Sequence, residues 1–460
     1  MIENDAFKLL LINLFHLNPD DIANILCTTF NKMMVLVVTL TDKHQACPYC
    51  GFTAPKIKEY VTKEITHSAL TTQKCIIKYR ARRYKCSCCG KTYYEFNPFV
   101  FKSQKISILT VHNILKDLKD FNETFTSVAR RYHVSPTSVS TIFDKHVDIG
   151  RNPLPEIINF DEVYAFKSEK SKYVCVLLDF KKQIPVDVLP NRKKEYLLNY
   201  FQKIPLEERK KVKYACSDMY EVYRDVVHKV FPSCCMLLDY FHLSQDFHRK
   251  MNEVRIKVMK GYKDNKASDE YYLLKKFNWL LFKNPEDEDK YGRLFDVERE
   301  RKYNSHFKSY MNYYDLRKKL LEINNDLTIC YSLKLELVDF YSKSTIDNAK
   351  VNLENLIRSC IDTNIDEMIA FSNNLINWKQ EIINSFTIVG TEYKVEADKG
   401  QVVVCNKKVN NAIIENRNKI IKCIKNNANG YTNWSRFRNR VMYVLDPNAM
   451  VLRQEKGLIK

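Results

Sequence analysis

Ile157-Ile158-Asn159-Phe160-Asp161 is a short apolar run that closes on an acid, and the fold is read outward from it. Downstream, strand-like runs cover 173–180 and 184–189, and a helical pattern covers 194–202. A strand over 212–217 then leads into Asp218, followed by a helix over 220–230 and a strand over 235–238. Three strands, a helix, a strand, a helix and a fifth strand is the order of a ribonuclease-H-like sheet. Pro153 and Pro155 mark its upstream boundary. From about 244 the chain turns helical, polar and rich in Lys, Glu and Asn, with no strand-rich block before 386–404. This predicts an all-α insertion that separates the sheet from its last helix, over 410–419.

Three acids stand out on this frame. Asp161 and Asp218 close strands, and Glu415 lies in the late helix. Two Mg²⁺ ions about 3.5–4 Å apart repel one another and need clustered carboxylates to hold them. Taken singly, each acid has an ordinary explanation: Asp161 as a turn or cap residue, Asp218 as a helix cap, Glu415 as a solvated helix carboxylate. Asp239 and His242 follow the fifth strand and are accessory candidates, with the histidine equally readable as structural. Asp179, at the end of the second strand, is the rival for a metal role.

The composition fits a polyanion partner. Among 460 residues, 74 Lys and Arg face 55 Asp and Glu, a formal charge of +19. With 28 Tyr, 25 Phe and 9 Gly, the chain packs instead of trailing as a disordered basic tail. The acidic opening residues predict no secretory signal, and the apolar run 33–40 reads as a strand too short to span a bilayer. The 15 cysteines are therefore expected as reduced thiols or metal ligands in a cytoplasmic protein.

Cys47-Pro48-Tyr49-Cys50-Gly51 and Cys86-Ser87-Cys88-Cys89-Gly90 are two knuckles on either side of strand-like sequence. Cys47, Cys50, Cys86 and Cys89 form a zinc-ribbon pattern for one structural Zn²⁺, with Cys88 a bystander. Beside them Arg82 and Arg83 offer a basic face for a phosphate backbone. Over 125–143 a two-helix pattern follows, in which Ser135 is an N-cap and Pro136 the first helical residue. Val139, Ile142 and Phe143 supply the second helix's apolar face, which leaves Thr137, Ser138 and Thr141 outward for a major groove. This reads as a helix-turn-helix, although any two-helix corner would share the pattern. Near Glu415, Arg417, Lys419 and Lys422 are basic, and Trp434, Arg436 and Arg438 interleave an aromatic ring with guanidinium groups. These are further DNA-contact candidates.

Together the knuckles, the helix-turn-helix, Phe160-Asp161-Glu162, Ser217-Asp218-Met219-Tyr220, Asp239-Tyr240-Phe241-His242 and Asn411-Ala412 with Glu415, Asn418 and Lys422 resemble a bacterial DDE transposase of the insertion-sequence L-three family. The closing match is Gly430-Tyr431-Thr432-Asn433-Trp434, and the resemblance covers nearly the whole chain. Asn416 departs from a glycine tendency, and Cys88 is extra. The resemblance implies that Asp161, Asp218 and Glu415 bind two catalytic Mg²⁺ or Mn²⁺ ions. Water would cut at an element's end and the freed 3′-OH would attack target DNA, with double-stranded terminal repeats and target DNA as partners and a homodimer as the working form. The domains expected are an arm over 1–35, the zinc ribbon over 36–98, the helix-turn-helix over 104–150 and the catalytic core over 155–243. The helical insertion spans 244–400, the last part of the core 401–446, and a tail 447–460. A DNA-binding regulator that has lost catalysis is the competing reading, and an RNA-directed nuclease of the same fold a third.

Overall fold

The computed structural model describes residues 2–449, apart from 44, 103, 167–170 and 396–401. The chain falls into two compact units, one of Met1–Arg151, Tyr164–Lys167 and Lys419–Lys460, the other of Asn152–Val163 and Ser168–Asn418.

In the first unit, α1 (Ile2–Leu14) packs on a sheet of β1 (Ile22–Phe30), β2 (Met33–Leu40), β3 (Lys56–Thr66), β4 (Cys75–Lys85) and the short β5 (Thr92–Tyr94). Leu11, Ile12 and Phe15 meet Leu36, Ile77 and Tyr79 in its core. The order β1-β2-β4-β3, with β5 on β4, means that β2 is shared between the expected arm and the zinc ribbon. The boundary drawn at 35 thus falls inside a strand. Three helices follow: α2 (Ile108–Asp117), α3 (Phe125–Arg131) and α4 (Pro136–His146). Thr124 and Ser127 form a capping box on α3, and the Ser135 side chain accepts from the Ser138 N–H at the start of α4. His133 turns the chain between α3 and α4 with a φ of 53°.

The second unit is built on β6 (Ile157–Val163), β7 (Val174–Asp179) and β8 (Pro185–Leu189), then α5 (Lys194–Gln202), α6 (Leu206–Arg209), β9 (Tyr214–Ser217), α7 (Glu221–Val230) and β10 (Cys235–Leu238). The strand order is β10-β9-β6-β7-β8, with β10, β9 and β6 mutually parallel and β7 and β8 antiparallel. Side chains alternate across β6. Ile158 and Phe160 face α5 and α7, where Phe201 and Tyr223 pack, while Ile157 meets Cys216, Leu237 and Val409. Asn159 and Asp161 share the Ile157 face by the same period.

The insertion begins with α8 (Tyr240–Lys260) and α9 (Asp269–Lys276). It then forms two small hairpins, β11 (Glu288–Asp289) with β12 (Gly292–Arg293), and β13 (Lys302–Asn304) with β14 (Ser309–Met311). Helices α10 (Tyr313–Glu322), α11 (Asn325–Lys343), α12 (Ala349–Asp362), α13 (Asp366–Asn377) and α14 (Lys379–Asn384) complete its apolar core. A third hairpin, β15 (Ile388–Val395) with β16 (Val402–Lys408), leads to α15 (Ala412–Asn427) and then α16 (Trp434–Leu445). The expected all-α insertion is corrected by the two small hairpins, whereas the third falls in the region where a strand-rich block is expected. Strands of two or three residues carry no periodicity to read. The 401–446 segment is also divided, since Tyr443 of α16 packs among Val111 of α2, Val128 of α3 and Phe143 of α4. Residues 450–460, most of the expected tail, lie outside the described residues, as does the boundary at 400.

Lys334 is 1 % exposed in the insertion core. Its Nζ donates to the Leu281 carbonyl at 3.2 Å and to the Lys283 carbonyl. Burial is the main cause that lowers this amine from 10.5 to about 7. Between those two values the unfolded chain holds a proton that the folded chain lacks, so stability rises with pH across the window. Below about 7 the penalty is fully present. Melting curves at neutral and alkaline pH should show this rise for the wild type and a flatter dependence for Lys334→Met.

Candidate metal centres

The four expected cysteines converge. Cys47, Cys50, Cys86 and Cys89 each place a sulfur within 4.8 Å of the others, with Cys47 and Cys89 at 3.7 Å and Cys50 and Cys86 at 3.5 Å. A tetrahedral site with bonds of about 2.3 Å sets its sulfurs roughly 3.8 Å apart. Gly51 and Gly90, with φ of 76° and 69°, turn each knuckle and let their N–H groups close on the Cys47 and Cys86 carbonyls. The Cys89 N–H points at the Cys86 sulfur and leads the effects that lower that thiol to about 7, which favours thiolate. Cys88 is exposed and outside the group. The cluster could hold a zinc ion.

The acid centre follows from strand register. Asn159 lies opposite Cys216 in the β6–β9 ladder, and Leu238 lies opposite Ser217 in the β10–β9 ladder. Carried on by one or two residues, both ladders align in one row Asp161 within β6, and Asp218 and Asp239 just past the carboxyl ends of β9 and β10. Neighbouring strands lie about 4.8 Å apart, so this row crowds like charges. Glu415 joins it from the first turn of α15, where a helix N-terminus favours an anion. His242 Nε2 is 3.8 Å from Asp239 Oδ2 and 3.7 Å from Glu415 Oε1. The tight three-residue group is thus Asp239, His242 and Glu415, all within 4.8 Å. Asp161 and Asp218 adjoin this group without being part of it.

Hydrogen bonds from three asparagine residues fasten the two ends of the centre. Asn159 Nδ2 donates to the Asn410 carbonyl at 2.8 Å and to Asn411 Oδ1 at 2.7 Å. The Asn411 N–H donates to Asp239 Oδ1 at 3.2 Å, and Asn418 Nδ2 to Asp161 Oδ2 at 2.7 Å. Arg192 pairs with Glu162, which also accepts from the Tyr223 hydroxyl at 3.3 Å. The clasp roles of Asn159, Asn411 and Asn418 and the Glu162–Arg192 pair carry no readable spacing in the sequence.

Burial pushes Asp161 up to about 7, opposed by the Glu162 N–H and reinforced by the charge of Asp218. Burial likewise pushes Asp218 up to about 7, with Glu162 and Asp239 adding and Arg192 opposing. Asp239 is also raised, by burial first and by Glu415, against the Asn411 N–H and His242. Charge repulsion thus links Asp161 to Asp218, Asp218 to Asp239, and Asp239 to Glu415. Asp218 Oδ1, Asp239 Oδ2 and His242 Nε2 are buried without a hydrogen-bond partner among the described residues. Orphaned acceptors beside raised carboxyls fit a divalent cation, which would relieve both costs.

The ordinary explanations fare poorly for the aspartates. Asp161 sits inside β6, which runs on to Val163 and does not end at the acid as expected. Asp218 is not the cap of α7, whose N-cap is Tyr220 without a side-chain bond. Asp179, the rival, instead accepts the Lys181 and Lys182 N–H groups in the β7–β8 turn at 2.9 and 3.0 Å.

The DNA-contact candidates divide. Thr137 and Thr141 are exposed on α4, Ser138 bonds the Ser135 hydroxyl at 2.8 Å, and Lys419 and Lys422 are exposed on α15. Others are turned to the protein. Arg82 pairs with Glu95 at 2.7 Å, Arg83 with Glu59 at 2.7 Å and Arg436 with Asp144 at 2.6 Å. Arg438 donates to the Ile149 carbonyl at 2.7 Å, Arg417 to the Gln183 carbonyl at 3.2 Å, and Trp434 packs edge-on against Phe166. No helix among the described residues is long and apolar enough to cross a membrane.

Clustered acids on the carboxyl ends of parallel strands are the kind of centre that metal-dependent phosphoryl-transfer proteins use. The chain belongs to the insertion-sequence L-three family of DDE transposases: the family model, described as a transposase, matches residues 158–397, just over half of its 460 residues. It is also similar to the transposase for insertion sequence element IS1001 of Bordetella parapertussis, at 19 % identity over 411 residues, 89 % of this chain and 91 % of that one. The family match stops short of Glu415, whose place beside the aspartates rests on geometry.

Replacing Cys86 by Ser should release one bound zinc and unfold the knuckles, because structural zinc in small modules contributes roughly 10–16 kcal/mol of apparent binding free energy. Cys88→Ser should keep the metal. Metal content of the two purified variants checks the pair, and stoichiometric zinc in the Cys86 variant would contradict the site.

Proposed function

We propose that the chain is a DNA transposase that cuts at the ends of an insertion sequence and joins the freed 3′ ends to target DNA. Its second unit is read as a ribonuclease-H-like catalytic domain, interrupted by the insertion between β10 and α15. The carrying observation is that strand register aligns Asp161, Asp218 and Asp239 in one row whose burial raises all three carboxyls, with Glu415 within 4.8 Å of Asp239. Asp161, Asp218 and Glu415 are the metal-holding triad in this reading, and Asp239 a fourth acid beside them.

Two bound divalent cations, Mg²⁺ or Mn²⁺, would stabilise charge on the attacking and departing oxygens of an in-line displacement. The protein's own part is to hold the carboxylates. Asn418 fixes one oxygen of Asp161, and Asn411 fixes one of Asp239. His242, when protonated, stands between Asp239 and Glu415 and moderates their repulsion. Arg192, pinned by Glu162, does the same for Asp218.

Recognition of element ends falls to α4 in this reading, with Thr137, Ser138 and Thr141 toward bases and Lys419 and Lys422 toward phosphates. The zinc is structural, since four cysteines leave no open coordination position. A cytoplasmic homodimer is the working form, because two element ends must be handled together.

Asp161→Asn, Asp218→Asn and Glu415→Gln should each retain end binding and lose about a hundredfold or more of Mg²⁺-dependent cutting and joining. Asn418→Ala, acting on Asp161, should lose roughly 10–100-fold. A strand-transfer assay with labelled duplex ends reads both, and full cutting by Glu415→Gln would overturn the triad. Separately, Lys422→Ala should reduce the magnitude of the log–log salt slope of duplex binding by about 0.9, while Thr137→Ala should alter sequence preference.

A further inference from the structure

We propose that the cleft between the two small hairpins of the insertion binds an unpaired nucleotide, its base stacked on tyrosine rings. The proposal rests on DNA as the protein's partner. The cleft measures about 660 Å³, within the roughly 300–1,000 Å³ of small-ligand pockets. Tyr291 forms the tip of the β11–β12 hairpin and is 67 % exposed, and Tyr303 of β13 is 58 % exposed. Tyr310 lies opposite Tyr303 in the β13–β14 ladder, is 68 % exposed, and meets that ring edge-on at 5.5 Å.

The Tyr291 hairpin is braced although its ring faces solvent, and Tyr291 and Tyr303 are the exposed tyrosines that line the cleft. The Tyr291 N–H donates to Asp289 Oδ1 at 2.8 Å, and Gly292 supplies the left-handed turn with a φ of 97°. Arg299 fastens the hairpin from below, donating to Asp289 at 2.6 Å and to the Arg293 carbonyl at 3.0 Å. Aromatic side chains at such exposure forgo burial that would stabilise them, and a rigid mount reduces the ordering cost of stacking a ligand on them.

Charge plays the smaller part in choosing the ligand. Lys290 and Lys302 place their Nζ atoms 4.6 and 5.9 Å from the Tyr291 ring, and Lys290 also acts electrostatically on Asp289. Asp289 is engaged by Arg299, and Asp296 accepts the Glu298 N–H at 2.9 Å. Glu300 also lines the cleft, so the positive excess is small. Stacking therefore dominates over phosphate neutralisation, and binding should depend weakly on salt. Within a duplex each base already stacks on its neighbours. A tyrosine ring can take only a base that has left that stack. Strand cutting and joining create such nucleotides at the element's ends.

The test uses the full chain, a short oligothymidine and a duplex of equal length, read by fluorescence anisotropy. The double variant Tyr291→Ala with Tyr303→Ala should weaken oligothymidine binding by about tenfold or more and leave duplex binding within about twofold. The double variant Tyr291→Phe with Tyr303→Phe keeps the rings and should bind like the wild type. Unchanged oligothymidine binding by the alanine variant, equal loss on duplex, or equal loss in the phenylalanine variant would each overturn the proposal. Wild-type Mg²⁺-dependent cutting of duplex ends is measured separately. Its absence would refute the transposase reading and leave the oligothymidine comparison standing.

Discussion

The parallel register of β6, β9 and β10 is the constraint on which the acid centre depends. It aligns Asp161, Asp218 and Asp239 on neighbouring strands about 4.8 Å apart. A one-residue slip would send Asp161 to the opposite face, among Phe201 and Tyr223. The apolar residues between the acids forbid that slip, because Ile158 and Phe160 are fully buried on one face and Ile157 on the other. Core packing thus fixes a row of charges that electrostatics alone would disperse.

The second requirement is to bring in Glu415 across the insertion. Asn159 and Asn411 meet from positions 252 residues apart, and Asn418 reaches Asp161 across 257. Buried amide contacts of this kind are costly to leave unmade, so they favour one seating of α15 on β6. In that seating Ile413 packs with Ile157, Cys216 and Leu237, and Glu415 lies within 4.8 Å of Asp239 and His242. The resulting excess of negative charge is only partly met by His242 and Arg192, and that imbalance makes the centre receptive to cations.

Much of this was legible in the sequence, where the period was strong. Strands of β6 to β10 are short apolar runs with clear turn signals, and Ser135-Pro136 marks the start of α4 unambiguously. The knuckles are legible because Cys-x-x-Cys-Gly imposes its own geometry. What escaped reading had no local signature. The hairpins at 288–293 and 302–311 are too short for alternation, and β1 and β2 join β4 of the knuckle sheet through the long-range β2–β4 pairing. Arg82, Arg83, Arg436 and Arg438 look like DNA contacts by composition, yet a guanidinium satisfies a nearby carboxylate or carbonyl equally well. Asp239 and His242 were visible as neighbours of the site, but their closeness to Glu415 required the fold.

The central claim is that a row of buried acids, fixed by strand register, forms one cation centre. The most direct measurement is a crystal structure of the full chain soaked in Mn²⁺, with the ions located by anomalous scattering. The account predicts density bounded by Asp161, Asp218 and Glu415, with Asp239 alongside. Density elsewhere, or a Glu415 carboxylate turned away from the three aspartates, would contradict it.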